Sequence, residues 1–150
     1  MVDHRAIIER YGKALSEARM DLLAEVLAED YVEEYPQSGE VVRGRSNLIS
    51  IIENYPGRTS DMSLGDISTL KVKPSDAFRA VAPTFAVVRV EGAGDNGVST
   101  IRATYPDGSR WWIIGFYTLR GTWIASTRTF FAPDFPAPEW RARWVERSSG

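Results

Sequence analysis

The fold is decided by residues Ile7 to Gly44, which read IIERYGKALSEARMDLLAEVLAEDYVEEYPQSGEVVRG. Apolar side chains recur every three or four residues in the first half of this stretch, which predicts a helix over residues 3–18. A second, shorter helix is predicted with Asp21 as its N-cap and an end near Glu29. Residues Tyr31 to Tyr35 then alternate as a strand. Two amphipathic helices that lead into a Tyr- and Glu-rich strand predict a cone-shaped α+β fold with a pocket.

Alternation along that strand decides which side chains share a face. Successive side chains of a strand point to opposite faces, so Tyr31, Glu33 and Tyr35 lie on one face and Val32 and Glu34 on the other. For the two tyrosines, packing in the sheet and lining a ligand pocket are equally open interpretations.

The rest of the chain predicts one more helix followed by strands. Ser46 is the expected N-cap of this third helix, which carries Tyr55 before it stops at a Pro-Gly pair. Five strand-like segments follow, at residues 63–72, 85–91, 98–105, 111–119 and 123–131. This order predicts a single domain over residues 1–150, with three N-terminal helices packed on a strongly curved, mostly antiparallel sheet. Residues 132–150 form a C-terminal extension that we expect to fold back over the sheet or the mouth of the cone.

The last hairpin predicts an interface. With Arg120 and Gly121 as its loop, cross-strand pairing places Trp112 and Phe116 on the same face as Thr127 and Thr129. Both faces of this hairpin are apolar enough to be buried, although helices cover only one face of such a sheet. We therefore expect a homodimer that forms through the sheet.

Composition excludes several classes of function. The chain has 18 basic and 20 acidic side chains and a formal charge of −2, so we expect no nucleic-acid partner. No apolar run approaches the length of about 20 residues that spans a bilayer, and we expect a cytoplasmic protein without a membrane partner. The chain has no cysteine and a single histidine, which leaves little metal-ligand chemistry. We predict no metal site and no cofactor.

Four short segments carry a resemblance that spans nearly the whole chain. They are RYGKAL in the first helix, DYVEEYPQSGEVVRGR, ENYPG at the end of the third helix, and STRTFFAPDF in the last hairpin. Together with the order of helices and turns, they resemble nuclear-transport-factor-2-like proteins of the SnoaL-like group. The superfamily includes steroid isomerases, polyketide cyclases, epoxide hydrolases, dehydratases and binding proteins without catalytic activity, so the resemblance implies a fold and leaves the chemistry open.

The resemblance implies candidate catalytic residues. Steroid isomerases use a tyrosine of the first helix to stabilise an oxyanion, which implies that role for Tyr11. Their base, an aspartate on the first strand, corresponds to Tyr35, or to Glu34 after a slip of one residue. Their second carboxylate corresponds to Trp112, which cannot do that work. In the cyclases a catalytic aspartate stands where this chain has Thr129, so cyclase chemistry is not carried over.

The residues themselves leave alternatives open at these positions. Tyr11 is either a core tyrosine or a hydrogen-bond donor in the pocket. Glu34 is either solvated, or paired with Arg43 or Arg45, or a desolvated base. Thr127 and Thr129 need hydrogen-bond partners if they are buried, and these are each other, water or a ligand.

Two classes of function follow from these residues. One is an enzyme that performs cofactor-free acid–base chemistry on a small apolar molecule, with Tyr11 and Glu34 as catalytic residues. The other is a binding protein without catalytic activity, or a dimer whose cone is filled by its own aromatic side chains. If the cone holds a ligand, the candidate ligand-binding residues are Tyr31, Tyr35, Tyr55, Trp112, Phe116, Thr127 and Thr129. His4 is expected at the surface in every case.

Overall fold

The computed structural model describes residues 1–54, 84–104 and 108–148. Along the chain these form α1 (His4–Ser16), α2 (Met20–Val26), β1 (Leu27–Tyr35), β2 (Glu40–Arg43), α3 (Arg45–Glu53), β3 (Thr84–Ala93), β4 (Asn96–Thr104), β5 (Arg110–Arg120) and β6 (Trp123–Pro133). A 3₁₀ helix, Glu139–Trp144, follows β6. Tyr55 and the strand expected over residues 63–72 lie outside the described residues.

The described strands form one open, mixed sheet in the order β2-β1-β6-β5-β4-β3. Neighbouring strands are antiparallel except β1 and β6, which run parallel. Helix α1 packs on β3 and α2, and α3 packs on β1 and β2. The prediction of an α+β fold, with N-terminal helices on a mostly antiparallel sheet, is confirmed.

The core lies between the helices and one face of the sheet. We call this face the inner face and the opposite one the outer face. The largest fully buried side chains come from α1, α2, α3, β1 and β6: Ile8, Leu23, Val26, Leu27, Tyr31, Ile52 and Ile124. Each contributes on the order of 1.5–3 kcal/mol through removal of apolar surface from water, so this layer holds the helices against the sheet.

The N-cap predictions for α2 and α3 are wrong. Ala18 adopts a φ of 53°, and this left-handed residue turns the chain at the end of α1. One residue, Arg19, with φ −91° and ψ 88°, then precedes α2, and Asp21 lies inside the first turn of that helix. Helix α3 begins after Gly44, whose φ of 89° favours glycine, and Ser46 is already helical.

The hairpin of β5 and β6 departs from the predicted register in two ways. Arg120 pairs with Trp123, so the loop lies one residue later than predicted. Leu119 pairs with Ile124 but Thr118 pairs with Ser126, which leaves an extra residue in β6. This β-bulge shifts the pairing by one and moves every later side chain of β6 to the other face.

The bulge corrects one prediction about the candidate site. Beyond it, Thr127 and Thr129 pair with Tyr117 and Gly115 on the inner face. Trp112 and Phe116 therefore do not share a face with the two threonines. The two aromatic residues lie on the outer face instead.

The C-terminal extension is not folded over the cone through its aromatic side chains. Strand β6 ends at Pro133, and the aromatic residues beyond it, Phe135, Trp140 and Trp144, are exposed. Within the described parts of the chain, no helix is long and apolar enough to cross a membrane. The cytoplasmic location stays a prediction.

Candidate functional site

A group of polar side chains is buried against the inner face of the sheet. We call it the inner polar cluster, and its members are Tyr11, Tyr31, Glu33, Tyr35 and Thr129. Glu33 is 4% exposed and Tyr31 is fully buried, while Tyr11 on α1 is partly exposed. A buried carboxylate surrounded by phenols is uncommon in a structural core, because burying a charge is costly.

Strand geometry brings this cluster together. The period of two places Tyr31, Glu33 and Tyr35 on the inner face of β1, as the sequence predicted. Strand β6 runs parallel beside β1, and its bulge turns Thr129 to the same face. The contact between Glu33 and Thr129 therefore depends on pairing between the first and last strands of the sheet.

Both carboxylate oxygens of Glu33 accept a hydrogen bond. The Tyr35 hydroxyl donates to Oε2 at 2.9 Å, and the Thr129 hydroxyl donates to Oε1 at 2.9 Å. The ring of Tyr35 also packs against Phe131, with centroids 5.9 Å apart. These contacts fix the carboxylate in one orientation.

Burial dominates the electrostatics of Glu33. Loss of solvation raises the pKa of Glu33 to about 7, and the hydrogen bonds from Tyr35 and Thr129 offset only part of that increase. Both donors are neutral hydroxyls, which stabilise a carboxylate less than a cation would. Glu33 therefore exchanges its proton near neutral pH.

The tyrosines of the cluster remain protonated. Burial first, and the Glu33 charge second, raise the pKa of Tyr11, Tyr31 and Tyr35. Each of these hydroxyls therefore keeps its proton and can donate a hydrogen bond at any pH at which the protein is folded.

The Tyr31 hydroxyl differs from the others because it is buried without a hydrogen-bond partner among the described residues. The hydroxyls of Tyr11 and Thr127 lie close enough to influence the pKa values of this group but do not reach hydrogen-bonding geometry. A buried polar group without a partner costs roughly 1–3 kcal/mol, so Tyr31 holds an unused donor beside the carboxylate.

The predicted base lies elsewhere. Glu34 points to the outer face, where Arg128 Nε donates to its Oε2 at 2.9 Å, and the Glu34 side chain is 42% exposed. The expected partners, Arg43 and Arg45, do not hold it: Arg45 donates to the Leu27 carbonyl at 3.1 Å. Glu34 is thus a solvated, ion-paired carboxylate and is not buried as a base would be.

The remaining predicted residues separate into two groups. Thr127 lies on the inner face beside the cluster, partly buried. Trp112 and Phe116 lie on the outer face, where Trp112 stacks under the Arg102 guanidinium at 4.4 Å and Phe116 is about half exposed. The structure therefore brings Tyr11, Tyr31, Tyr35, Thr127 and Thr129 together, and excludes Trp112 and Phe116 from that group.

Glu33 is the residue that sequence reasoning missed. Its signal was present, because alternation placed it between two tyrosines that were already candidates for lining a pocket. The catalytic carboxylate of the steroid isomerases corresponds instead to Tyr35, next to Pro36, or to Glu34 after a slip of one residue. The role of each residue in catalysis stays a prediction.

His4 is also placed differently from the expectation of a surface residue. Its Nδ1 lies 2.9 Å from the Tyr117 hydroxyl and its Nε2 lies 3.0 Å from the Gly94 carbonyl oxygen. A carbonyl oxygen only accepts, so Nε2 carries the proton and Nδ1 accepts from Tyr117 in the neutral ring. Gly92 permits this approach, because a Cβ there would lie 2.3 Å from the imidazole. This contact fastens the start of α1 to the hairpin of β3 and β4.

Metal ligands are not grouped in the parts of the chain that the structure describes. No set of three or more His, Cys, Asp or Glu side chains among them has an arrangement that could hold a metal ion.

Several solved structures have the same fold as this chain. An NTF-2 like protein of unknown function from Burkholderia xenovorans matches with a TM-score of 0.71 and 23% identity, over 97% of this chain and 94% of that one. A Kribbella flavida protein, provisionally named a ketosteroid isomerase, matches with a TM-score of 0.71 and 20% identity, over 98% and 90%. An LEH-like epoxide hydrolase of M. tuberculosis matches with a TM-score of 0.58 and 14% identity, over 84% and 80%.

These matches establish the fold, which is the NTF2-like, cystatin-like fold that the sequence resemblance implied. No family model and no curated protein matches the chain. At identities below 25%, the shared fold does not transfer an activity, and the function has to be argued from the side chains.

Proposed function

We propose that this chain, which has the nuclear-transport-factor-2-like fold, binds a small, largely apolar molecule against the inner polar cluster. It then moves a proton from one atom of the bound molecule to another. Glu33 is the group that takes and returns the proton. No cofactor is needed for such chemistry, because the carboxylate and the phenols supply both a base and hydrogen-bond donors.

One observation carries this proposal: a fully buried carboxylate whose pKa is raised to about 7 by burial. A general base works best when its pKa lies near the operating pH, because it is then often ionised and still basic enough to accept a proton. A glutamate carboxylate in water has a pKa near 4.5 and is a weaker base.

The neighbouring hydroxyls have two roles, which are to orient the Glu33 carboxylate and to donate a hydrogen bond to the ligand. Tyr35 and Thr129 donate to the two oxygens of Glu33 and hold the carboxylate in place. Tyr31 has a free donor, and Tyr11 is the member of the cluster that is partly exposed. In a reaction that removes a proton from carbon next to a carbonyl, the electron pair moves onto the carbonyl oxygen, and a phenol that donates there stabilises the charge.

Two solved structures with this fold support the proposal as analogies. The Kribbella flavida protein is provisionally named a ketosteroid isomerase and the M. tuberculosis protein an epoxide hydrolase. One name refers to a ketosteroid and the other to an epoxide, which are the kinds of small molecule that we propose to test here.

A second candidate function is favoured by the aromatic core. Tyr31, Tyr35, Trp111, Tyr117 and Phe131 are all less than 10% exposed, so the chain's own rings fill much of the described interior. Such an interior suits a binding or partner-interaction protein without catalysis. The two candidates differ in what they require of Glu33.

The first test is a search for ligands followed by turnover. A thermal-shift screen with enones, aromatic phenols and epoxides identifies binders, because a ligand at a hundredfold its Kd adds about 2.7 kcal/mol to the stability of the native state. Each binder is then incubated with the wild type and assayed for conversion by mass spectrometry and NMR.

The matched variants are Glu33→Gln and Glu34→Gln, which make the same change on opposite faces of β1. We expect Glu33→Gln to lower kcat by roughly 10²- to 10⁴-fold, as loss of a general base does, and Glu34→Gln to leave kcat within about twofold. Equal activity of both variants would contradict the role of Glu33. Binders without any turnover, retained by Glu33→Gln, would support the non-catalytic candidate instead.

A further inference from the structure

The outer face of the sheet carries an open groove with a volume of about 870 Å³, which we call the outer groove. Its apolar walls come from four strands, through Val32, Val98, Phe116 and Phe130. Phe116 and Phe130 meet edge to face with their centroids 6.0 Å apart, and Phe116 is about half exposed. An apolar groove that is open to water is a feature of interaction sites.

The same chain presents a second exposed apolar surface at its C-terminal end. Residues 134–148, which we call the C-terminal arm, follow β6 and include the 3₁₀ helix. Phe135, Trp140 and Trp144 of the arm are 76%, 75% and 69% exposed. Three large aromatic side chains within ten residues leave an unusual amount of apolar surface in water.

The start of the arm is fixed to its own sheet. Asp134 makes an ion pair with Arg102, whose guanidinium stacks on Trp112 of the outer face. Pro136 and Pro138 restrict the backbone that follows. These prolines and the 3₁₀ helix limit the conformations of the arm, so docking its exposed side chains on another surface costs little conformational entropy.

The outer groove extends along the sheet away from the start of the arm. Trp112 pairs with Ala132 near the point where the arm leaves, whereas the groove reaches from Phe130, the partner of Ile114, to Thr118, which lies six residues from Trp112, or about 20 Å. When two copies face each other about a twofold axis with their strands antiparallel, the arm end of each copy lies over the Thr118 end of the other copy's groove.

We propose that the C-terminal arm of one copy lies in the outer groove of a second copy, and the second arm in the first groove, in a homodimer paired through the outer face. This inference extends the homodimer that the sequence predicted and is independent of the role of Glu33.

The area available is sufficient for a stable dimer. Three aromatic side chains of about 200 Å² each, exposed by roughly three quarters, contribute about 450 Å² per arm. Two arms and the grooves that receive them would bury roughly 1,800 Å², which lies in the range of stable interfaces. Contact between the two outer faces would add to this area.

Cross-linking tests the contact directly, because the chain contains no cysteine. Ser126→Cys places a thiol in the groove, and Ala142→Cys places one between the two tryptophans of the arm. Ser46→Cys, exposed on α3, is the matched control for Ser126→Cys. Equimolar mixtures of two single variants are oxidised mildly at micromolar concentration and separated on a non-reducing gel.

We expect the Ser126→Cys and Ala142→Cys mixture to give at least tenfold more mixed disulfide than the Ser46→Cys and Ala142→Cys mixture. Equal yields in the two mixtures, absence of product, or a product made mainly of paired Ala142→Cys chains would overturn the proposal. So would a double variant, Ser126→Cys with Ala142→Cys, that closes its disulfide within one chain, since the arm would then lie in its own groove.

A second measurement uses the protein without engineered cysteines. The wild type is expected to sediment at about twice its 16.8 kDa mass, and the Trp140→Ala, Trp144→Ala double variant to show at least a tenfold higher dimer dissociation constant. A monomeric wild type, or a dimer that the double variant retains unchanged, would overturn the proposal. A monomer that binds anionic lipid vesicles through these tryptophans would assign the arm to a membrane surface instead.

Discussion

Glu33 and Glu34 are consecutive residues of one strand with opposite surroundings. Glu33 is 4% exposed, accepts hydrogen bonds from two neutral hydroxyls, and has a pKa raised to about 7. Glu34 is solvated and paired with Arg128 at 2.9 Å. Their surroundings differ because successive side chains of β1 point to opposite faces of the sheet. The face of the sheet, and not the residue type, therefore decides which of the two carboxylates is desolvated.

The largest expected effect concerns pH and stability. Because its pKa is raised, Glu33 holds its proton more tightly in the folded protein than in the unfolded chain, where the pKa of this residue is near 4.5. Protonated Glu33 therefore adds its full contribution to the free energy of unfolding below pH 4.5, and this contribution is lost as the pH rises through 7. Between pH 5 and pH 8 the free energy of unfolding of the wild type should fall by roughly 2 to 3 kcal/mol relative to that of Glu33→Gln.

Urea unfolding at both pH values measures this difference, with Glu34→Gln as the control. Glu34→Gln should follow the wild type, since it leaves Glu33 in place. A wild type whose stability relative to Glu33→Gln does not change between pH 5 and pH 8 would show that Glu33 is already ionised at pH 5.

The next effect compares two tyrosines of the inner face. Tyr35 donates to Glu33, so Tyr35→Phe removes a hydrogen bond to a buried carboxylate and should cost about 1.5–3 kcal/mol at pH 8. The Tyr31 hydroxyl has no partner among the described residues, so Tyr31→Phe should be neutral or stabilise by up to about 1 kcal/mol.

Chemical denaturation of both variants gives the two values in one experiment. The sign of the Tyr31→Phe effect is the informative result. A loss of stability as large as that of Tyr35→Phe would mean that the Tyr31 hydroxyl is satisfied in solution and is not an available donor.

The smallest effect belongs to the outer face of the single copy. In the Trp140→Ala, Trp144→Ala background, which weakens the proposed dimer, Arg128→Gln breaks an ion pair with Glu34 whose side chains are both largely solvated, and exposed pairs contribute about 0.2–1 kcal/mol. The loss should shrink further in 0.5 M salt because of screening. A loss above 2 kcal/mol that is insensitive to salt in this background would show that the pair is buried within a single copy.

The sequence predicted the environment of β1 well because local periodicity is sufficient there. Alternation from Tyr31 to Tyr35 needs no distant partner, and it placed Glu33 between the tyrosines. The choice of Glu34 came from alignment with a family position, which is sensitive to a slip of one residue. The local pattern and the alignment thus selected carboxylates on opposite faces of β1.

The neighbourhood of β6 could not be predicted in the same way. The bulge between Ile124 and Ser126 has no marker such as glycine in the sequence, yet it decides whether Thr129 reaches Glu33. The ion pair of Glu34 with Arg128 joins residues 94 positions apart, across the parallel pairing of β1 and β6. Such contacts depend on topology, which local patterns do not contain.

The most direct test of the account is the pKa of Glu33, measured by NMR titration of its ¹³C-labelled side-chain carboxyl. The Glu33→Gln variant assigns the resonance by its absence. We expect a midpoint near pH 7, because burial without a cation disfavours the charged form. A midpoint near 4.5 would contradict the role proposed for Glu33, since its carboxylate would then be solvated like that of a free glutamate.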